Sequence, residues 1–140
     1  DHLDGAPIFD IAYDENRWAA LRLEAKVRSM LDGISVWGRE FYRPVNERSP
    51  TIIDHEIARA HRIVDSLDKD VAAGLFDAPL STAQLLLACA LPPYWHWPNP
   101  KLREGRPPEF QWRSGRCNLS TWIDLFSERP SIQKTSPSAH

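Results

Sequence analysis

The sequence predicts an all-helical domain. Apolar residues recur at three- and four-residue spacing along two long stretches, and serines in capping position open two of the helices. No stretch alternates apolar with polar residues at the period of a strand. At 140 residues the chain fits one domain, long enough to bury ~68% of the surface its unfolded form exposes. Its 42% hydrophobic and 26% charged content is that of an ordinary globular protein. A net charge of -2 argues against a dedicated nucleic-acid or anionic-membrane binder. No apolar run approaches the roughly 18 residues of a membrane span. Two cysteines, Cys89 and Cys117, make no disulfide framework, so a cytoplasmic setting is expected.

Residues 1–13 hold Gly5, Pro7 and a short Ile8-Phe9-Asp10-Ile11 patch without a sustained period, and read as a linker. The helical domain is expected over residues 14–134. Its first helix begins near Asp14, a plausible N-cap. Trp18, Leu21, Met30, Ile34, Trp37 and Phe41 form its apolar stripe, with Leu23, Val27 and Leu31 beside them. Arg43-Pro44 ends it, because the residue before proline is pushed out of the helical region. Gly33 and Gly38 within it each cost about 1 kcal/mol relative to alanine and mark a bend or a close approach.

Ser49-Pro50 restarts the chain as N-cap and first helical position. The second helix carries Ile53, Ile57, Ala60, Val64, Leu67 and Val71 on one stripe and ends at Gly74. Asp54, Arg59, Arg62, Asp65 and Lys69 read as its solvated face. Ser81 lies three residues before Gln84, the spacing of a capping box, with Leu80 and Leu85 placed as a hydrophobic staple. The run from Leu85 to Leu91 is apolar on every side, which predicts a central helix buried all round, with Cys89 as inert core. Pro92-Pro93 ends it. Residues 92–116 are rich in Pro, Trp and Arg and read as an irregular loop. A fourth helix is expected from Leu119 to Glu128 with Leu119, Trp122, Ile123 and Phe126 inward. Pro130-Ser131 allows one more short turn, and residues 135–140 form a frayed tail.

Two segments carry a specific resemblance. Pro79-Leu80-Ser81-Thr82-Ala83-Gln84 followed by Leu85–Leu91 resembles the capped core helix of the glutathione transferase C-terminal domain. Asn118 to Trp122, and Glu128-Arg129-Pro130-Ser131-Ile132-Gln133, resemble that family's closing helix and its Arg-Pro-Ser turn. Arg22-Leu23-Glu24-Ala25, Met30-Leu31-Asp32 and Arg43-Pro44 resemble bacterial members. Asp1-His2-Leu3-Asp4 resembles the end of the last helix of their thioredoxin-like first domain. Residues 93–112 are the least typical part.

The resemblance implies a helical bundle around one buried helix, in a homodimeric detoxification enzyme that conjugates glutathione to electrophiles. It implies that the thiol-activating residue and most of the glutathione site lie in an N-terminal thioredoxin-like domain ahead of residue 1. No catalytic residue and no bound cofactor are then expected here, with glutathione the co-substrate of the intact protein. The helical domain would supply dimer contacts and a hydrophobic wall for the electrophilic small molecule, with Trp37, Phe41 and Tyr42 as its substrate-binding residues. Two departures stand out. Gln84 occupies the capping position where the family usually has Asp, and Arg28-Ser29 stands where related sequences often have Asp-Gly. If that acidic position helps hold the amino group of glutathione, Arg28 reverses its charge. The competing reading is a non-catalytic binding or assembly module of the same fold.

Several residues carry a functional and a bland reading side by side. Trp37 and Phe41 line a pocket or simply continue the core stripe, and Arg39 reads as a solvated charge. Tyr94, Trp95, His96 and Trp97 close over a ligand or partner, or cap the open end of the bundle, where one hydrogen bond satisfies each indole. His55 and His61 are six apart, about 240° around a helix, so they share no ligand face and no metal site is expected. Cys117 beside Arg116 at a helix start has the electropositive setting of a reactive thiol, but no base or pocket accompanies it. Lys101 to Arg116 holds five basic and two acidic residues with Phe110 and Trp112 between them. That mixture would suit single-stranded nucleic acid, but it is above all the composition of a solvated loop with two buried anchors, which is what the sequence predicts.

Overall fold

The computed structural model describes residues 17–77, 79–91 and 110–135. These are all-helical. Helix α1 spans Arg17–Glu40, a short 3₁₀ turn Val45–Glu47, α2 Pro50–Ala72, α3 Thr82–Ala90, α4 Cys117–Ser127 and α5 Pro130–Thr135. No strand occurs among the described residues. The linker over residues 1–13, the expected cap Asp14 and the Tyr94–Trp97 cluster lie outside them.

The long helices form an antiparallel pair. Lys26 of α1 meets Ser66 and Asp70 of α2, Arg59 of α2 donates to the Ser29 carbonyl at 2.6 Å, and buried Glu40 accepts the Ser49 N–H at 2.7 Å. Ser49 caps α2 as its sequence suggests, accepting from the Ile52 N–H, and Pro50 occupies the first turn. Gly74, at φ 76°, ends the α2 turn in the left-handed region that glycine adopts freely.

The stripe on α1 is narrower than expected. Val27, Met30, Ile34 and Trp37 are buried, whereas Trp18 is 75% exposed. Trp18 precedes Val27 by nine residues, about 900° at 100° per residue, which points it half a turn away from the core. On α2 the expected solvated face holds for Asp54, Arg62, Asp65 and Lys69, which are exposed, while Arg59 is half-buried and pairs with Glu56 at 2.9 Å. Exposed Asp65 also accepts from Arg116 at 2.8 Å.

Helix α3 begins with the complete capping box: Ser81 accepts the Gln84 N–H and Gln84 Oε1 accepts the Ser81 N–H. It is not buried all round, however. Ala83, Leu87, Ala88 and Ala90 are buried, Leu85 and Leu86 are half-buried and Cys89 is exposed. Cys89 lies about 200° from both Leu87 and Leu91, whose side chains are wholly buried, so the core takes one side of the helix and leaves Cys89 outside. The core is shared by α1, α2, α3, α4 and Trp112 rather than wrapped around α3.

Helix α4 starts two residues earlier than its apolar period suggests. Leu119, Ile123 and Phe126 face the core, while Trp122 is half-buried between Phe76 and Phe126, with ring centroids 5.2 and 4.7 Å away. No side chain at its own N-cap closes the helix. Asp68 of α2 does so instead, accepting the Leu119 N–H at 2.8 Å and the Asn118 side-chain amide at 3.1 Å. A carboxylate there also meets the positive end of the α4 dipole.

Candidate functional site

The end of α1 sets the first group of candidates. Trp37 is buried at 2% exposure in the core. Phe41 lies four residues later, about 40° around the axis, and is half-buried with the Arg48 guanidinium 5.0 Å above its ring. Arg48 is held there by the carbonyls of Phe41 and Arg43 at 3.0 and 3.1 Å. Because α1 ends at Glu40, Phe41 and Tyr42 belong to the following turn, and Tyr42 is 56% exposed. The three residues expected to bind substrate thus face three environments: core, the underside of an arginine, and solvent.

What sits beside Trp37 is Phe110. The two rings meet edge to face at 5.4 Å, and Phe110 in turn meets His61 of α2 at 4.8 Å. This row of rings ends on Arg116, a buried hub whose side chain is 10% exposed. Arg116 Nε donates to Asp65 at 2.8 Å, and Nη1 is directed at the carbonyls of Gln111, Trp112 and Ser114 at 3.2–3.4 Å. Its Nη2 lies 3.2 Å from His61 Nδ1. Arginine is suited to this place because its five donors are fixed in a plane and its charge is permanent. Burial, and secondarily the Arg116 guanidinium, holds the His61 imidazole below its ordinary pKa, while Asp65 pulls the other way.

Arg113, in the same turn, makes a two-pronged pair with Asp124 at 2.7 and 3.1 Å and stacks 4.5 Å from the ring of buried Trp112. An open depression runs along Phe110, Gln111, Trp112, Arg113 and Ser114. The two described arginines of the basic stretch are therefore occupied by carboxylates. Trp112 is one buried anchor and half-buried Phe110 the other, whereas Arg116 is buried rather than solvated.

Arg28 is exposed on α1 and paired with Glu24 one turn earlier at 2.7 Å. Arg39 is exposed, and Cys117 is exposed at the first position of α4. No cluster of three or more His, Cys, Asp or Glu able to hold a metal ion occurs among the described residues. No helix there is long and apolar enough to cross a membrane. Sequence reasoning missed Arg116, Asp68 and Glu40 as organising residues. Each acts on a distant part of the chain or across a turn, and no spacing rule links them to their partners. No family model matches the chain, and comparison with curated proteins and with solved structures finds no match.

Proposed function

We propose that this chain is the helical domain of a glutathione transferase, acting with a thioredoxin-like domain that binds glutathione and activates its thiol. In the assembled homodimer the thiolate sulfur would attack an electrophilic carbon held against the apolar side of the helical domain. A carbon–sulfur bond forms, and the leaving group departs with the electron pair of the bond that breaks. The aromatic end of α1, with Trp37, Phe41 and Tyr42, is the part proposed to meet the electrophile, and a cytoplasmic setting goes with this reading. The observation that carries it is α3: the segment on which the resemblance rests forms its capping box in both directions and buries Leu87 and Leu91 completely. The Arg129-Pro130-Ser131 segment likewise opens α5 where the resemblance expects the turn.

The test is conjugation of a chloro-nitroaromatic by glutathione, measured with the full product of the native gene. Expected is turnover with release of chloride, abolished when only these 140 residues are supplied. A full product that neither binds glutathione nor turns over would replace this reading with the second one, a non-catalytic binding or assembly module. Arg28 favours that second reading, since it stands where the resemblance expects an acidic residue and, paired with Glu24, offers no carboxylate to the amino group of glutathione.

A further inference from the structure

His61 stands between two groups that respond oppositely to its charge. A guanidinium offers donors only, so the 3.2 Å contact between Arg116 Nη2 and His61 Nδ1 is a hydrogen bond only while that nitrogen keeps its lone pair. The Asp65 carboxylate lies one turn along the same helix, at the i,i+4 spacing where an imidazolium and a carboxylate attract. The other neighbour of the imidazole is the Phe110 ring, and Phe110 also packs edge-on to Trp37.

Arg116 is not free to yield. Asp65, three backbone carbonyls and burial hold its guanidinium, so a second positive charge beside it must be relieved by movement of the imidazole. The geometry points to a proton-operated latch: neutral His61 bonds to Arg116 and backs Phe110 against Trp37, and protonated His61 turns toward Asp65 and loosens Phe110.

The groups packed around the ring fit this assignment. From the 110–116 turn the facing charge is Arg116, since Arg113 is committed to Asp124; from α2 it is Asp65. The charged side chains that α1 directs at α2 are Lys26, paired with Asp70, and Glu40, bonded to Ser49 and Arg43. Helix α3 offers no acidic or basic side chain, and its one thiol, Cys89, is exposed. Burial and Arg116 both keep the imidazole neutral, so the latch is closed at neutral pH and opens in mild acid. Because the folded state lowers the His61 pKa, its contribution to stability is full above the ordinary imidazole value. That contribution is lost as pH falls through the lower folded value. The latch does not depend on the transferase reading, because what it moves is the packing of Trp37.

The test follows two NMR signals of the intact chain from about pH 8 to about pH 5, the range in which histidine titrates. These are the His61 ring C–H and the Trp37 indole N–H, the latter assigned by its loss in Trp37→Phe. Both should titrate with one midpoint below the ordinary imidazole value, and the Trp37 shift should vanish in His61→Gln. Arg116→Gln, which removes the opposing cation, should move the His61 midpoint upward. A Trp37 signal that stays flat while His61 titrates overturns the latch. So does a Trp37 titration that persists in His61→Gln, or a His61 midpoint unmoved in Arg116→Gln. Should either variant fail to fold, agreement or disagreement of the two wild-type midpoints decides alone.

Discussion

Gly33 and Gly38 share one helix and call for opposite substitutions. Alanine at either position gains about 1 kcal/mol of helix propensity. A Cβ at Gly38 meets nothing within 4 Å. At Gly33 it would collide with Arg59 Nη2 and Glu56 Oε2, which lie directly over the α1 backbone. Arg59 is anchored by the Ser29 carbonyl, and Glu56 is largely buried beside it, so displacing them costs at least what the propensity returns. Gly38→Ala should raise the unfolding free energy measured in urea by about 1 kcal/mol, and Gly33→Ala should leave it unchanged or lower it. A Gly33→Ala chain as stabilised as Gly38→Ala would show that the Glu56–Arg59 pair adds nothing to the α1–α2 contact. The sequence announced two helical glycines; which one is a close approach depends on side chains more than twenty positions away.

Helix α3 shows how a neutral amide can serve a helix cap and a second bond at once. Gln84 is 5% exposed and uses both ends of its amide: Oε1 accepts the Ser81 N–H at 2.8 Å, and Nε2 donates to the Phe76 carbonyl at 2.8 Å. A carboxylate can perform the first task and not the second, since it has no donor. Gln84→Glu should therefore destabilise the chain by about 1–3 kcal/mol even though an acid suits a helix N-terminus. Ser81→Ala, which removes only one capping bond, should cost about 1 kcal/mol. Denaturant titrations of the two variants compare them directly, and a Gln84→Glu chain as stable as wild type would assign no importance to the Phe76 contact. The box was legible from the Ser81 to Gln84 spacing. The bond to Phe76 was not, because it depends on how the α2–α3 connection folds back.

At the scale of the molecule, buried side chains from α1, α2, α3, α4 and the 110–116 turn belong to one continuous core. Trp37, Met30, Leu67, Leu87, Leu91, Leu119 and Ile123 are among its wholly buried members, so no described helix of these four has a core of its own. A shared core predicts cooperative unfolding. Far-ultraviolet circular dichroism and tryptophan fluorescence should lose signal at one common midpoint. Separate midpoints would mean that the α1–α2 pair survives without α3 and α4.

The sequence by itself determined the all-helical class, the starts of α2 and α3, and most of the inward positions on α1, α2 and α4. These follow from local rules, a 3.6-residue period and capping chemistry within a few residues, which need no knowledge of distant neighbours. Tertiary structure alone decided that Trp18 and Cys89 face outward, and that α4 is capped by Asp68. It also decided that Arg116 gathers Asp65, His61 and three carbonyls into one hub. A periodic pattern says that a helix has an apolar side. Only the packing of helices says how wide that side is and which polar groups, far apart in the chain, complete each other's hydrogen bonds.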